Sequence, residues 1–308
     1  MDLRQLHALL AVAEHRSFSA AARALHTVQS NVSTHVARLE RELQTVLVDR
    51  KTMELTPEGS AVVERARRIQ SELQAISDDV VSLRDEVSGV TRVGLIGTTG
   101  RWLLPHLLAE MEAQVPGVQL IVVDATTTSL TPQLTGGQLD LAVLQLPVAD
   151  PDVAVEPLFD EERILIVPAD HPLAANDVVA VDALAEHPLL LPPKGTSFRD
   201  AIESEATAAE VEIDAMAEVD GMRLLASLAF GGYGPALLPA SAAPNATETG
   251  WRRVHISGLS RREVGLGIPK RTSLSAPARA VRSVIRTLVG RHGANQPGLH
   301  LTLDSDAA

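Results

Sequence analysis

The sequence predicts an α/β protein in three parts: a small N-terminal helix-turn-helix with a β wing, a long connecting helix, and a larger domain of alternating strands and helices. Three observations carry that prediction. Apolar residues recur at helical spacing as far as Leu43, interrupted by two short turns. A heptad pattern then runs from Val62 to Val87 with no Gly or Pro inside it. After Gly89, short β-branched runs alternate with helical stretches to about residue 290.

The first helix rests on Leu3, Leu6, Leu9, Leu10 and Ala13, and it should end near His15-Arg16. Ser19 is the expected N-cap of an alanine-rich helix from Ala20 to Leu25. The turn His26-Thr27-Val28 leads into a third helix, Gln29 to Glu42, with Val32, Val36, Leu39 and Leu43 as its buried stripe. Gln29, Ser30, Asn31, Ser33, Thr34 and Arg38 are left facing outward. In a helix-turn-helix the second helix enters the major groove N-terminal end first, and these are the side-chain types that read base edges or hold phosphate. A polar face alone is more often simply solvated. The segment from Val48 to Gly59, VDRKTMELTPEG, shifts the balance. Its basic turn, Arg50-Lys51-Thr52, sits between residues that can pair as a small hairpin, a wing suited to gripping phosphate. Thr56 as N-cap and Pro57 at the first helical position then open the next helix.

The strings LRQLHALLAVAEHRSFSAAARALH, VQSNVSTHVARLERELQTVLVDR and LTPEG resemble the LysR-type transcriptional regulators. Family members place Gln and Ser where Gln29 and Ser33 stand, and a basic residue at Arg38. The chain departs from the pattern at Ser30, usually Pro, at Gln44, usually Gly, and at Val48, usually Phe. The resemblance implies a transcription regulator that binds an operator in double-stranded DNA, an interrupted palindrome, as a homodimer or homotetramer. RNA polymerase is a further candidate partner. Residues 1–58 would form the DNA-binding domain and 59–88 the linker helix.

Along that linker the steps between apolar positions alternate four and three, through Val62, Ala66, Ile69, Leu73, Ile76, Val80, Leu83 and Val87. At about 1.5 Å per residue the helix would be about 45 Å long. A single apolar stripe on a polar helix needs a partner, and a second copy is the expected one, as the resemblance also implies. The alternative is that the stripe packs on the chain's own sensor domain.

Beyond Gly89 the expected strands are Arg92–Ile96, Val118–Asp124, Leu139–Leu144, Ile164–Val167, Leu189–Leu191 and Val264–Ile268. The expected helices are Trp102–Val115, Leu130–Leu134, Val181–Ala185, Arg199–Ala208, Gly221–Ala229 and Ala276–Val289. Such alternation suits parallel sheets. The strings LLPHLLAEM, GGQLDLAVLQLP, EPLFDEERILIVPADHPLA and GGYGPALLPASAA resemble the LysR-type effector domain, which implies a two-lobed type 2 periplasmic-binding-protein fold over residues 89–293. Crossovers are expected near Ile164–Pro168 and Gly265–Pro269, with lobe I at about 90–163 and 269–293 and lobe II at about 164–268. Residues 294–308, which contain Gly, Pro, Asp and Ala, read as a disordered tail.

In α/β lobes, ligands sit at the carboxyl ends of strands against helix N-termini. The matching positions are Thr98, Thr99 and Gly100, then Thr127, Thr128 and Gln145, with Ser197, Phe198 and Gly221 from the second lobe. Trp102 is expected near the cleft mouth, because the chain is several residues shorter here than many relatives. Hydroxyl-rich loops at helix starts suit a small anionic effector. Taken singly, each threonine is more often an ordinary turn or cap.

Composition limits the function classes. At 308 residues, 45% hydrophobic and with a mean hydropathy of +0.09, the chain reads as a globular protein of two domains and a connector. Asp2, Arg4 and Glu14 break any signal-peptide core, and no apolar run nears the ~20 residues a span needs, so a cytoplasmic location without a membrane partner is expected. With no cysteine, disulfides, thiol redox sensing and cysteine-ligated metal centres are excluded, and no metal or cofactor is expected. The net charge of −12 is unevenly spread: residues up to Arg68 hold ten basic against eight acidic side chains, and the remainder seventeen against thirty-one. A mildly basic head on an acidic body fits DNA binding that salt readily weakens. An enzyme reading has one foothold, Gly94 to Gly100 between a strand and a helix with Asp124 ending the next strand, which imitates a dinucleotide fingerprint. The glycine spacing is not GxGxxG, and no catalytic constellation follows. A DNA-binding protein whose second domain no longer senses a ligand is the remaining alternative.

Overall fold

A computed structural model describes residues 1–83, 87–244, 250–270 and 273–303. The chain forms two compact units, one of Met1–Ser77 with Gly136–Gln138 and the other of the remaining residues from Asp78 onward.

In the first unit α1 (Leu3–His15) opens with a capping box: the Asp2 carboxylate accepts from the Gln5 amide at 2.9 Å, and the Gln5 side chain accepts from the Asp2 amide at 2.9 Å. Helix α2 (Phe18–Ala24) starts two residues earlier than expected. Ser17, not Ser19, is its N-cap, in an extended conformation and accepting from the Ala20 amide at 3.3 Å. This puts Phe18 on the buried side of the first turn and leaves the Ser19 hydroxyl facing out. Helix α3 (Gln29–Leu43) buries Val32, Val36 and Leu39 as its periodicity predicts, whereas Leu43, also expected in the stripe, stands exposed at the last position of the helix. It ends at Gln44, held left-handed at φ 54°, with the Thr45 amide returning to the Glu40 carbonyl at 3.1 Å.

The wing is a minimal hairpin in which Val48 bridges Leu55 and the Asp49 amide donates to the Glu54 carbonyl at 2.9 Å. Thr56 caps α4 (Pro57–Ser82) by accepting from the Gly59 amide at 2.9 Å. Gly59 lies against the Leu47 carbonyl so closely that a Cβ would stand 1.9 Å from its oxygen. Val63 and Ala66 are buried in the winged-helix core with Val62 packed at its edge, so the start of the heptad is spent inside this unit. From Ile69 on the stripe is open: Ile69, Leu73, Ile76, Val80 and Leu83 are 37–87% exposed. The helix stops at Ser82, short of the expected Ser88. Residues 84–86 lie outside the described residues, and Val87, the last heptad position, packs instead on the core of the second unit.

The second unit holds two six-stranded sheets, one per lobe. Lobe I contains β1 (Gly89–Leu95), β2 (Val118–Asp124), β3 (Leu141–Gln145) and β4 (Val153–Glu161). Lobe II contains β5 (Arg163–Pro168), β6 (Val178–Ala180), β7 (Leu189–Leu191), β8 (Ala215–Glu218), β9 (Ala236–Pro239) and β10 (Trp251–Ser257). The chain then returns to lobe I with β11 (Arg262–Pro269) and β12 (Leu299–Leu301). The orders are β12-β4-β11-β3-β1-β2 and β6-β10-β5-β9-β7-β8. Both sheets are mixed rather than parallel. β1 runs parallel to β2 and β3, while β11 is antiparallel to β3 and β4, because the returning strand enters from the opposite end.

The lobe crossings also differ from expectation. They fall at Glu162, between β4 and β5, and in residues 258–261, between β10 and β11. Strands β5 and β11 each pair wholly within one sheet, so the apolar segments 164–168 and 265–269 cannot bend across a boundary, and polar residues make the passage. Residues 262–268 therefore belong to lobe I. Helices α5 (Gly97–Gln114), α6 (Thr127–Thr135) and α9 (Ala276–His292) flank lobe I, and α7 (Ser197–Ala208) and α8 (Met222–Phe230) flank lobe II.

The expected disordered tail is ordered across its described part, and 304–308 lie outside the described residues. A 3-10 turn at Gly293–Asn295 leads to β12, which adds antiparallel to the edge of β4, with Leu299 buried and Leu303 against the core. Gly and Pro composition suggested disorder, yet Gly298 at φ +78° makes the turn that aims this apolar strand at an open sheet edge.

Gln44 occupies a backbone conformation that favours glycine. Gln44→Gly is expected to stabilise the protein by up to about 1 kcal/mol, read as a raised denaturation midpoint.

Candidate functional site

On the outward face of α3, Gln29, Ser30 and Asn31 project from the first turn and are exposed, as are Thr34 and Arg38; Ser33 is half-buried. Local bonds orient three of these groups. The Ser19 hydroxyl donates to the Gln29 side-chain oxygen at 2.7 Å, and the Asn31 amide donates to the Thr27 hydroxyl at 3.0 Å. Arg50 reaches from the wing to Glu40 of α3 at 3.1 Å and to the Ser33 hydroxyl at 3.4 Å, with its guanidinium 5.1 Å from the centre of the Phe18 ring. Glu40 also accepts from the Leu47 and Val48 amides, at 3.0 and 3.3 Å. Arg50 thus ties the wing to α3, whereas Lys51 stands exposed at the wing tip. The sequence indicated the basic turn but not this tie.

The second unit carries a cavity of about 380 Å³ between its lobes. Lobe I contributes Thr98 and Thr127 from the starts of α5 and α6, with Gln145 from the end of β3. Lobe II contributes Ser197, Phe198 and Gly221. These six expected residues are brought together, and the other four are not. Thr99 is fully buried, Trp102 is 5% exposed and stacks edge-on against Phe159 at 5.9 Å, and neither Gly100 nor Thr128 lines the wall. The reason is where α5 begins. Starting at Gly97 rather than Trp102, it points Thr98 at the cleft and turns Thr99 and Trp102, three residues apart, toward the sheet. Trp102 is therefore a core residue, not a cleft-mouth residue.

Four helices begin at this cavity, and α5, α7 and α8 have no side-chain cap on their first amides. Their N–H groups and dipoles give the cavity a positive bias although the protein is acidic. Gln145 spans the lobes, donating from its side chain to the Ser197 carbonyl at 2.9 Å while its own amide donates to the Thr127 hydroxyl at 2.8 Å.

Sequence reasoning missed three charged wall residues, Arg262, Asp124 and Arg223. Arg262, 4% exposed, is committed within the protein: its Nε donates to Glu161 at 2.8 Å and its Nη2 to Thr98 at 3.0 Å, and its guanidinium lies 5.6 Å from the Phe198 ring centre. Glu161, fully buried, also accepts from the Ser241 amide at 2.8 Å. Arg223 of α8 pairs with Asp124 at the end of β2 at 2.8 Å, across the mouth. The sequence held a faint signal for these, single charges bracketing apolar strands. Their pairing depends on chain crossings that no local pattern fixes.

The matched family models are "LysR substrate binding domain", over residues 84–290, and "Bacterial regulatory helix-turn-helix protein, lysR family", over residues 3–60. The chain is 36% identical over 244 residues to a probable hydrogen peroxide-inducible genes activator of Streptomyces viridosporus, covering 78% of each. It is 32% identical over 247 residues to the DNA-binding transcriptional dual regulator OxyR of Escherichia coli, covering 79% of this chain and 81% of that one. Among solved structures, a full-length OxyR of Pseudomonas aeruginosa with one cysteine replaced by aspartate aligns at a TM-score of 0.74 with 26% identity, covering 94% of both chains. CbnR in complex with its target DNA shares the fold, with a TM-score of 0.67 and 23% identity over 94% of this chain and 99% of that one.

Removing one member of a buried ion pair strands the other. Glu161→Ala should cost about 3–5 kcal/mol in urea unfolding, and the double variant Glu161→Leu/Arg262→Met should recover most of it. Equal losses in the two variants would show that packing, not the unpaired charge, sets the cost.

Proposed function

The chain belongs to the LysR family of bacterial helix-turn-helix regulators and is a DNA-binding transcription regulator rather than an enzyme; we propose that a small carboxylate-bearing effector bound between its lobes controls it. The observation that carries this reading is the convergence of four helix starts on one interlobe cavity of about 380 Å³, three of them uncapped. A ligand that engages both lobes favours one lobe arrangement over another by its differential affinity for the two. The peroxide responses in the relatives' names are a separate matter. With no cysteine in its 308 residues, this chain has no thiol for peroxide to oxidise.

On the DNA side, Gln29, Ser33 and Asn31 are the proposed base readers, with Ser30 and Thr34 beside them and Arg38 and Lys51 on phosphate. Arg50 serves phosphate as well as its tie to α3. The operator is an interrupted palindrome, and RNA polymerase is the partner through which the regulator would act at a promoter. The exposed stripe Ile69, Leu73, Ile76, Val80 and Leu83 is the proposed contact with a second copy, in a dimer or tetramer.

A thermal-shift screen of small mono- and dicarboxylates tests the cleft. At least one should raise the melting temperature and change operator affinity, and Thr126→Asp, which places a fixed carboxylate at the start of α6, should abolish both effects. A carboxylate that acts equally on the variant sinks the cleft assignment.

Leu73→Asp tests the stripe. Burying an unpaired carboxylate costs several kcal/mol, so this variant should sediment as a species no longer joined through the linker helices. It should also bind a palindromic operator far more weakly, whereas Glu72→Ala should change little. A Leu73→Asp protein still dimeric through the linker would show that the stripe packs elsewhere.

A further inference from the structure

The cavity wall carries two arginines, and they differ in what they can offer a ligand. Arg262 is 4% exposed and its Glu161 partner 0%, with Thr98 and the Phe198 ring completing its surroundings. Drawing it away would leave a buried carboxylate unpaired, so Arg262 is not exchangeable. Arg223 and Asp124 are 66% and 45% exposed, and a solvated pair of this kind is held weakly. It joins α8 of lobe II to β2 of lobe I directly over the start of α5. A Cβ on Gly97 would lie 2.8 Å from the Asp124 carboxylate and 3.0 Å from the Arg223 side chain, so the glycine makes room for the pair. The remaining charged wall group is Asp220, beside the start of α8.

With Arg262 committed, the wall offers Arg223 and the helix starts to an anion, and Asp124 and Asp220 to a cation. A simple carboxylate that captured Arg223 would strand Asp124 beside the incoming negative charge. A simple cation on Asp124 would strand Arg223 in the same way. A ligand carrying both charged groups on one carbon satisfies each half, since its carboxylate takes Arg223 and the free amides at the start of α8 while its ammonium takes Asp124. Both partners of the broken pair are then reoccupied, and the ligand itself joins the two lobes.

We propose that the effector is a zwitterion of the α-amino-acid class, whose carboxylate and ammonium replace the Asp124–Arg223 ion pair across the cleft mouth. This rests on the cleft being the effector site. The uncommitted cavity wall also includes Met222, Ala125 and Ile96, which suits an apolar or small side chain.

The test uses the full chain and the common L-α-amino acids, each compared with the deaminated carboxylic acid of the same side chain and with its methyl ester. One or more free amino acids should stabilise the protein and bind at least about tenfold more tightly than either comparison compound, the size of one charge-assisted hydrogen bond. Asp124→Asn should lower amino-acid affinity by about tenfold while leaving the deaminated acid unchanged or improved. Arg223→Met should weaken both. Because the two side chains are solvated, neither change threatens the fold, which circular dichroism verifies. If deaminated acids bind as well as the amino acids, or if Asp124→Asn leaves their ratio unchanged, the zwitterion is wrong and the carboxylate reading survives. If no compound of any set binds, both fall.

Discussion

Glu161 and Arg262 face each other on the paired strands β4 and β11, nearly sealed from water, at the two places where the chain passes between lobes. Each charge would cost several kcal/mol to bury alone. Together they are satisfied by two further groups, the Ser241 amide in lobe II and the Thr98 hydroxyl in lobe I. The pair therefore registers both crossings against both lobes. It also fixes the back wall of the cavity, because the Arg262 guanidinium holds Phe198 on one side and the first turn of α5 on the other. The positions of Thr98, Ser197 and Gln145 relative to one another follow from it.

Around that fixed point the cleft is bridged by contacts of graded exchangeability. Arg101 donates to the Ser241 and Ala243 carbonyls at 3.1, 3.0 and 2.6 Å, and burial lowers its pKa from the usual arginine value. Gln145 to Ser197 is an uncharged bond, and Asp124 to Arg223 a solvated ion pair. Lobe motion should break the solvated contacts first and keep the buried ones, which is how a two-lobed domain changes its opening without losing its hinge.

The winged helix solves a related problem with less material. Glu40 accepts two amides from the chain entering the wing and pairs with Arg50 in the wing's turn, so one carboxylate holds the wing against α3. In α4 the apolar stripe is divided: Val62 and Ala66 pack into the winged-helix core, and Ile69 onward is left open. A single periodic pattern thus serves two purposes along one helix.

Much of this was legible in the sequence because it is set locally. Helical periodicity placed α1, α3 and α9, Thr56-Pro57 placed the start of α4, and the basic turn of the wing was visible between two strand-like flanks. The order of the N-terminal motifs marked the family. Local signals failed where neighbours in sequence were not the deciding partners. Ser17 displaced Ser19 as a cap because Phe18 had a core to enter, and the tail became β12 because β4 presented an open edge. Trp102 went to the core because α5 begins at Gly97, where glycine and threonine give little helix propensity to read. Glu161 with Arg262, and Asp124 with Arg223, are 101 and 99 residues apart. The sequence by itself determined the helix-turn-helix order, six of the twelve described strands and the family they belong to; only the tertiary structure added the remaining strands and decided which charges meet, because both depend on where the chain crosses between lobes and which sheet edges it meets.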